Sequence, residues 1–96
     1  ENNLTKKDIR RLEAEKRKKL QPLKSRIDRL ERKIEELNVQ QEAIDTQLAN
    51  PDMYADDNVQ TMTLLLQDKA YLVKDIAELE EQWMQASEEY EKASKL

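Results

Sequence analysis

The sequence contains no glycine, cysteine, histidine or phenylalanine, and only two prolines. Without glycine, phosphate-cradling loops of the P-loop or dinucleotide type are excluded, because those loops need backbone with no side chain in the way. Without cysteine and histidine, the chain lacks zinc-finger ligands, thiol nucleophiles and the usual general base. No apolar run approaches the roughly 18 residues of a membrane span. We therefore expect no catalytic residue, no cofactor, no metal and no membrane partner for this chain.

What remains is a composition typical of long helices. Charged residues make up 40% of the 96 residues and hydrophobic residues 38%, so a thick globular core is not expected. The lack of cysteine fits a reducing, cytoplasmic setting. The chain begins with Glu1 and not with methionine, and we expect it to be one domain of a larger protein.

Apolar residues recur in two heptad seams, each with alternating steps of three and four residues. In the first half they are Leu20, Leu23, Ile27, Leu30, Ile34, Leu37, Ile44 and Leu48, with Gln41 filling one gap. In the second half they are Met62, Leu65, Leu72, Ile76, Leu79, Trp83, Ala86, Tyr90 and Ala93, with Lys69 interrupting and Leu66 and Val73 expected to widen the seam. We read Trp83 as a large seam residue, and Gln41 and Lys69 as polar residues that set the register.

The residues between the seams predict a tip over residues 50–57. Asn50 is suited to a left-handed helix end and Pro51 cannot continue a helix. Asp57 with Gln60 resembles a capping box for the second helix. Met53 and Tyr54 are expected to pack over the hairpin end, with a protein contact as the alternative.

Pro22 divides the chain in this prediction. Residues 1–20 form a basic linker helix that Thr5 and Asp8 can cap, and residues 21–96 form a coiled-coil hairpin with helices at about 22–49 and 58–94. Because Pro22 removes a hydrogen bond and crowds the preceding turn, we expect a kink there. The alternative is that Pro22 opens a second helix after a break.

A link of about eight residues favours antiparallel packing, so the predicted fold is an all-α, antiparallel two-helix hairpin. In such a coil the flanking g positions face each other. They are basic or neutral in the first helix (Lys19, Arg26, Lys33, Gln40) and acidic or neutral in the second (Asp68, Asp75, Gln82, Glu89). Two registers remain open, one pairing Leu30 with Ile76 and one pairing Leu30 with Trp83, and the short tip favours the first.

Charge is distributed unevenly along the chain. Residues 1–33 have 13 Lys or Arg against 6 Asp or Glu, whereas residues 34–96 have 4 against 15. Basic residues that mostly lie off the seam are candidates for phosphate contacts. They are Arg10, Arg11, Arg17, Lys18, Lys24, Arg29 and Arg32. The alternative is a solvated face that the acidic second helix partly neutralises. No aromatic residue is interleaved with them, so base stacking is not expected.

Four segments together resemble a known family. A basic stretch over residues 16–23 enters a heptad helix through residues 30–37; a tip with the sequence Leu48-Ala49-Asn50-Pro51-Asp52-Met53-Tyr54 follows, and residues 79–84 close with Leu-Glu-Glu-Gln-Trp-Met. This order resembles the C-terminal coiled-coil domain of the ABC-F class of ATP-binding cassette proteins, of the Uup and YheS type. The resemblance covers roughly residues 5–93.

The resemblance implies a non-catalytic C-terminal domain of a soluble tandem ATPase that binds DNA or ribosomal RNA and acts on DNA or the ribosome. ATP and Mg²⁺ would then bind in other domains of that protein. Two alternatives stay open: a structural or protein-interaction spacer, and a tRNA-clamping arm of a synthetase. The weak seam between Ile9 and Leu20 also allows a weak homodimer in place of a monomer.

Overall fold

The protein is an antiparallel helical hairpin, as the two seams predict. The computed structural model describes residues 5–95 and contains two long helices, α1 (Lys6–Leu48) and α2 (Val59–Ser94). Two short 3₁₀ turns, Pro51–Tyr54 and Asp56–Asn58, join them. The molecule is a rod with dimensions of 79 × 16 × 15 Å.

The predicted seam is the interface between the helices. Every seam residue of both helices, including Gln41 and Lys69, is at least half-buried. Ala86 is fully covered, and Leu37 and Ile76 are each 7% exposed. Burial of such aliphatic side chains contributes about 1.5–3 kcal/mol each, so this narrow seam is the main source of stability. The expectation that Leu66 and Val73 widen it is wrong, because these side chains are 49% and 47% exposed.

Two ion pairs between the helices show the register. Lys69 Nζ lies 2.6 Å from Asp45 Oδ1, and Arg26 Nη1 lies 3.9 Å from Glu89 Oε2. The residue numbers of these pairs add up to 114 and 115, which matches the register that pairs Leu30 with Trp83. The register favoured from the sequence is therefore wrong. The expectation that g positions face each other is confirmed at Arg26 and Glu89.

The observed register differs from the one favoured from the sequence because the tip extends further along the helix axis than expected. At the observed register α2 begins seven residues, or about 10 Å, beyond the level at which α1 ends. The 3₁₀ turn Pro51–Tyr54 fills that distance and contacts both helices. A tip that folds back along α2 shifts the second helix by one heptad.

Hydrogen bonds hold the tip in this shape. Asn50 has φ −73° and ψ 120°, so the expected left-handed conformation is wrong, and its side chain instead accepts from the Asp52 N–H at 3.0 Å. The Tyr54 hydroxyl donates to the Leu48 carbonyl at 2.9 Å, which satisfies one of the free carbonyls at the end of α1. Within residues 5–95, the N-cap of α2 is Asn58, whose side chain makes no capping hydrogen bond and instead donates to the Asp52 carbonyl at 2.8 Å, so the expected capping box at Asp57 is also wrong.

Pro22 lies inside α1 and does not end it. The helix is continuous from Lys6 to Leu48, so the alternative in which Pro22 opens a second helix is wrong. The start of α1 is as predicted: the Thr5 hydroxyl accepts from the Asp8 N–H at 3.1 Å, and the Asp8 carboxylate accepts from the Thr5 N–H at 3.3 Å. The basic residues before Pro22 and the seam after it therefore belong to one helix.

Candidate nucleic-acid interface

The first fourteen residues of α1 extend past the end of α2. In the observed register, Ser94 at the end of α2 lies level with about residue 20 of α1. No other part of the described chain is long enough to cover residues 6–19, which we call the overhang. It has eight Lys or Arg against three Asp or Glu, a net charge of +5. The result is a single exposed basic helix at one end of the rod.

Three of the candidate residues form a straight row. Arg10, Arg17 and Lys24 follow each other at intervals of seven residues, and all three side chains are exposed. On an α-helix this interval is two turns, or about 10.5 Å. The row therefore presents three positive charges along one side of α1, where a phosphate backbone can contact them.

A second row lies on the outer side of α1, about 100° around the helix from the first. It consists of Arg11, Lys18 and Arg32, and Arg29 lies next to it on the far side; all four are exposed. Within residues 5–95, Arg11 is the one of the seven candidates that is ion-paired, with Asp8 at 3.6 Å, and its side chain is still 71% exposed. The structure thus brings six of the seven predicted residues onto two rows of one helix and leaves Arg29 at the edge of the second row.

The acidic second helix does not neutralise the first row. Because Arg26 and Glu89 are paired, they occupy one flank of the hairpin, and Lys24 lies on the opposite flank. On that flank the residues of α2 nearest to the row by register are Ser87 and Ser94, which are uncharged. Glu91 lies between these two serines on the helix surface and is paired with Lys95 at 3.4 Å, so the row keeps its positive field.

Tyr90 is a residue that sequence reasoning missed. It lines a depression of about 150 Å³ together with Arg17, Leu20, Gln21 and Lys24. Its side chain is half-buried in the seam. The tertiary structure therefore places an aromatic residue next to basic residues from which it is more than sixty positions distant in sequence. Only the correct register reveals this proximity.

The family of the chain follows from comparison with known proteins. A model of the ABC transporter C-terminal domain matches residues 3–88, which is most of the chain. The chain belongs to this family. Its resemblance to the C-terminal domain of ABC-F type proteins is thereby confirmed. No curated protein and no solved structure matches the chain.

The family match covers the helix that carries the basic residues. Neither helix within residues 5–95 has a stretch apolar enough to cross a membrane. The match extends over the overhang and both helices, up to residue 88. The candidate interface is therefore part of the domain itself.

Proposed function

We propose that this chain is the non-catalytic, nucleic-acid-binding C-terminal domain of a soluble, cytoplasmic tandem ATPase of the ABC-F class. The family match supports a C-terminal domain of an ABC protein. The observation that carries nucleic-acid binding is the uncovered row of Arg10, Arg17 and Lys24 on the basic side of the hairpin. ATP and Mg²⁺ would bind in other domains of the parent protein.

Phosphates are the part of the nucleic acid that this surface fits. Guanidinium and ammonium groups form charge-assisted hydrogen bonds to phosphate oxygens. A single convex helix offers no pocket for a base, and its contacts position the protein without reading sequence. Duplex DNA and structured ribosomal RNA both present the phosphates that the row requires.

A salt titration tests the proposal. We expect binding of duplex DNA or of structured RNA in low salt, with a slope of about 0.9 in log K against log salt for each duplex phosphate contacted. The triple reversal Arg10→Glu, Arg17→Glu and Lys24→Glu is expected to lower that slope by about 0.9 for each lost contact. No binding in low salt, or an unchanged slope in the triple variant, would overturn the proposal.

Two matched charge reversals distinguish binding by the row from attraction by net charge. Arg17→Glu and Lys74→Glu change the net charge equally, and both residues are exposed. Lys74 lies on α2, away from the row. We expect Arg17→Glu to weaken binding several-fold and Lys74→Glu to have little effect, since screening at 0.15 M salt limits the reach of a charge to about 8 Å. Equal loss in the two variants would point to non-specific attraction by net charge.

A further inference from the structure

A second regular stripe lies on the outside of α2. Its residues alternate in steps of four and three, as the seam does, but none of them is part of the seam. They are Val59, Thr63, Leu66, Ala70, Val73 and Ala77, and we call them the α2 stripe. All six are exposed, and the three large ones are 51%, 49% and 47% exposed in chain order.

The equivalent positions of α1 are mostly charged, unlike those of the α2 stripe. There the same spacing gives Lys24, Asp28, Glu31, Glu35, Asn38, Glu42 and Asp45, of which six are charged. A helix face that only meets water is expected to resemble this charged row. An uncharged heptad stripe of about 27 Å, calculated from its 18 residue steps, is instead the pattern of a helix with a second packing partner.

One ion pair fixes where the stripe lies relative to α1. Lys69 binds Asp45 at 2.6 Å. Leu66 and Val73 lie three residues before and four residues after Lys69, so they are its neighbours on the helix surface. The Asp45–Lys69 pair therefore lies at the inner edge of the stripe. Glu42 and Glu35 follow Asp45 along α1 and make this edge acidic, and both are exposed.

The outer edge of the stripe differs from the inner one. Gln60, Gln67 and Lys74 lie there, three residues before or four residues after members of the stripe, and all are exposed. The stripe is thus an uncharged helix face with one acidic side and one neutral to basic side. Ala70 and Ala77 alternate with the larger Leu66 and Val73, which leaves depressions that side chains of another helix can enter.

We propose that the α2 stripe binds an amphipathic helix of a partner protein, with an apolar face against the stripe and Lys or Arg residues along the side that faces Glu42 and Glu35. The charge complementarity selects a basic helix, and the two unlike edges select its orientation. The basic overhang of a second copy of this chain is a poorer fit. It exposes only two large apolar residues, Ile9 and Leu12, three residues apart, against a stripe of about 27 Å.

Two synthetic peptides test the proposal. Each has three heptads, about 21 residues, with Leu at the seam positions; one has Lys and the other Glu at the flanking positions. The Lys peptide does not pair with itself readily, since like charges face each other. We expect the Lys peptide to bind and to shift amide resonances of the α2 stripe, and the Glu peptide to bind at least about tenfold more weakly.

Two substitutions on α2 form a matched pair. Leu66→Glu and Leu64→Glu add the same charge to leucines that are 49% and 55% exposed, but two residues on a helix differ by about 200° in direction. We expect Leu66→Glu to weaken binding of the Lys peptide by about tenfold or more, and Leu64→Glu to weaken it by less than about twofold. Circular dichroism melts of both variants establish that the hairpin is folded.

The outcomes that overturn the proposal are distinct. Equal weakening by Leu64→Glu and Leu66→Glu, or resonance shifts confined to other surfaces, would show that the stripe is not the site. Tighter binding of the Glu peptide would contradict the acidic edge. A dimer in sedimentation equilibrium that Leu66→Glu converts to a monomer would assign the stripe to a second copy and exclude the partner helix proposed here.

Discussion

The overhang and the paired region of the hairpin are built from one continuous helix, yet they differ in what stabilises them. Residues 20–48 of α1 pack against α2 through a seam whose members are at least half-buried. In the overhang Ile9 and Leu12 are 43% and 49% exposed, and the helix has only its own hydrogen bonds and the cap at Thr5. Isolated helices of this length are marginal in water. We infer that the overhang depends on its attachment to the paired region for its helical order.

The overhang and the residues around the tip also differ in net charge. The overhang has a net charge of +5, whereas residues 34–77 around the tip have nine Asp or Glu against two Lys. The basic end is suited to phosphates, and the acidic half borders the α2 stripe. One hairpin therefore separates two surfaces of opposite preference by much of its 79 Å length.

The largest expected difference between the two regions concerns isoleucines. Ile76 is 7% exposed and Ile9 is 43% exposed. Ile76→Ala is expected to lower the free energy of unfolding by about 2–4 kcal/mol through lost burial and a cavity. Ile9→Ala is expected to change it by less than about 0.5 kcal/mol. Urea titration followed by circular dichroism measures both, and an equal loss would show that the overhang is packed.

Pro22 lies where the two regions meet. Pro22→Ala restores a backbone donor inside α1 and removes the ring from the preceding turn, so we expect stabilisation by about 1–3 kcal/mol. The melting temperature measures the gain, and small-angle scattering reports any straightening of the rod. A lower melting temperature in this variant would mean that the helices pack around a bend at Pro22.

The hydrogen bonds at the two ends of α1 are expected to differ in effect, one on global stability and the other on the overhang alone. Tyr54→Phe removes the hydrogen bond to the Leu48 carbonyl and should lower global stability by about 0.5–1.5 kcal/mol. Thr5→Ala removes the capping box, but the overhang can fray without opening the seam. Hydrogen exchange should therefore accelerate only in the overhang. A matching loss of global stability in Thr5→Ala would show that the two regions unfold together.

The smallest expected difference concerns the two ion pairs between the helices. Lys69 and Asp45 lie 2.6 Å apart, with side chains 37% and 44% exposed, whereas Arg26 and Glu89 lie 3.9 Å apart at 40% and 56%. Double-mutant cycles should give a coupling of about 0.5–1 kcal/mol for the first pair and about 0–0.5 for the second. A stronger coupling at Arg26 would contradict the ranking by distance.

Sequence reasoning succeeded where the signal is local and periodic. The steps of three and four residues predicted both helices and every residue of the seam, since a 3.6-residue repeat places those positions on one face. It failed at the tip, where Asn50 adopts an extended and not a left-handed conformation. The fold-back of Pro51–Tyr54 along α2 depends on contacts with both helices, and no local rule contains those contacts.

The register also determines which residues of α1 are exposed. With Leu30 paired to Ile76, the end of α2 would have lain about one heptad further along α1, and more of the overhang would have been covered. The observed register leaves Ile9 and Leu12 exposed and brings Tyr90 beside Arg17 and Lys24.

For this protein, the sequence by itself determined the helices, the seam, the antiparallel order and the basic character of the first helix, because periodicity and charge are properties of neighbouring residues. The tertiary structure decided the register, the extent of the overhang, the position of Tyr90 and the exposure of the α2 stripe. The register, the extent of the overhang and the position of Tyr90 depend on how far the tip carries the chain before α2 begins. A shift of one heptad leaves the seam pattern intact, so only the three-dimensional packing of the tip distinguishes the two registers.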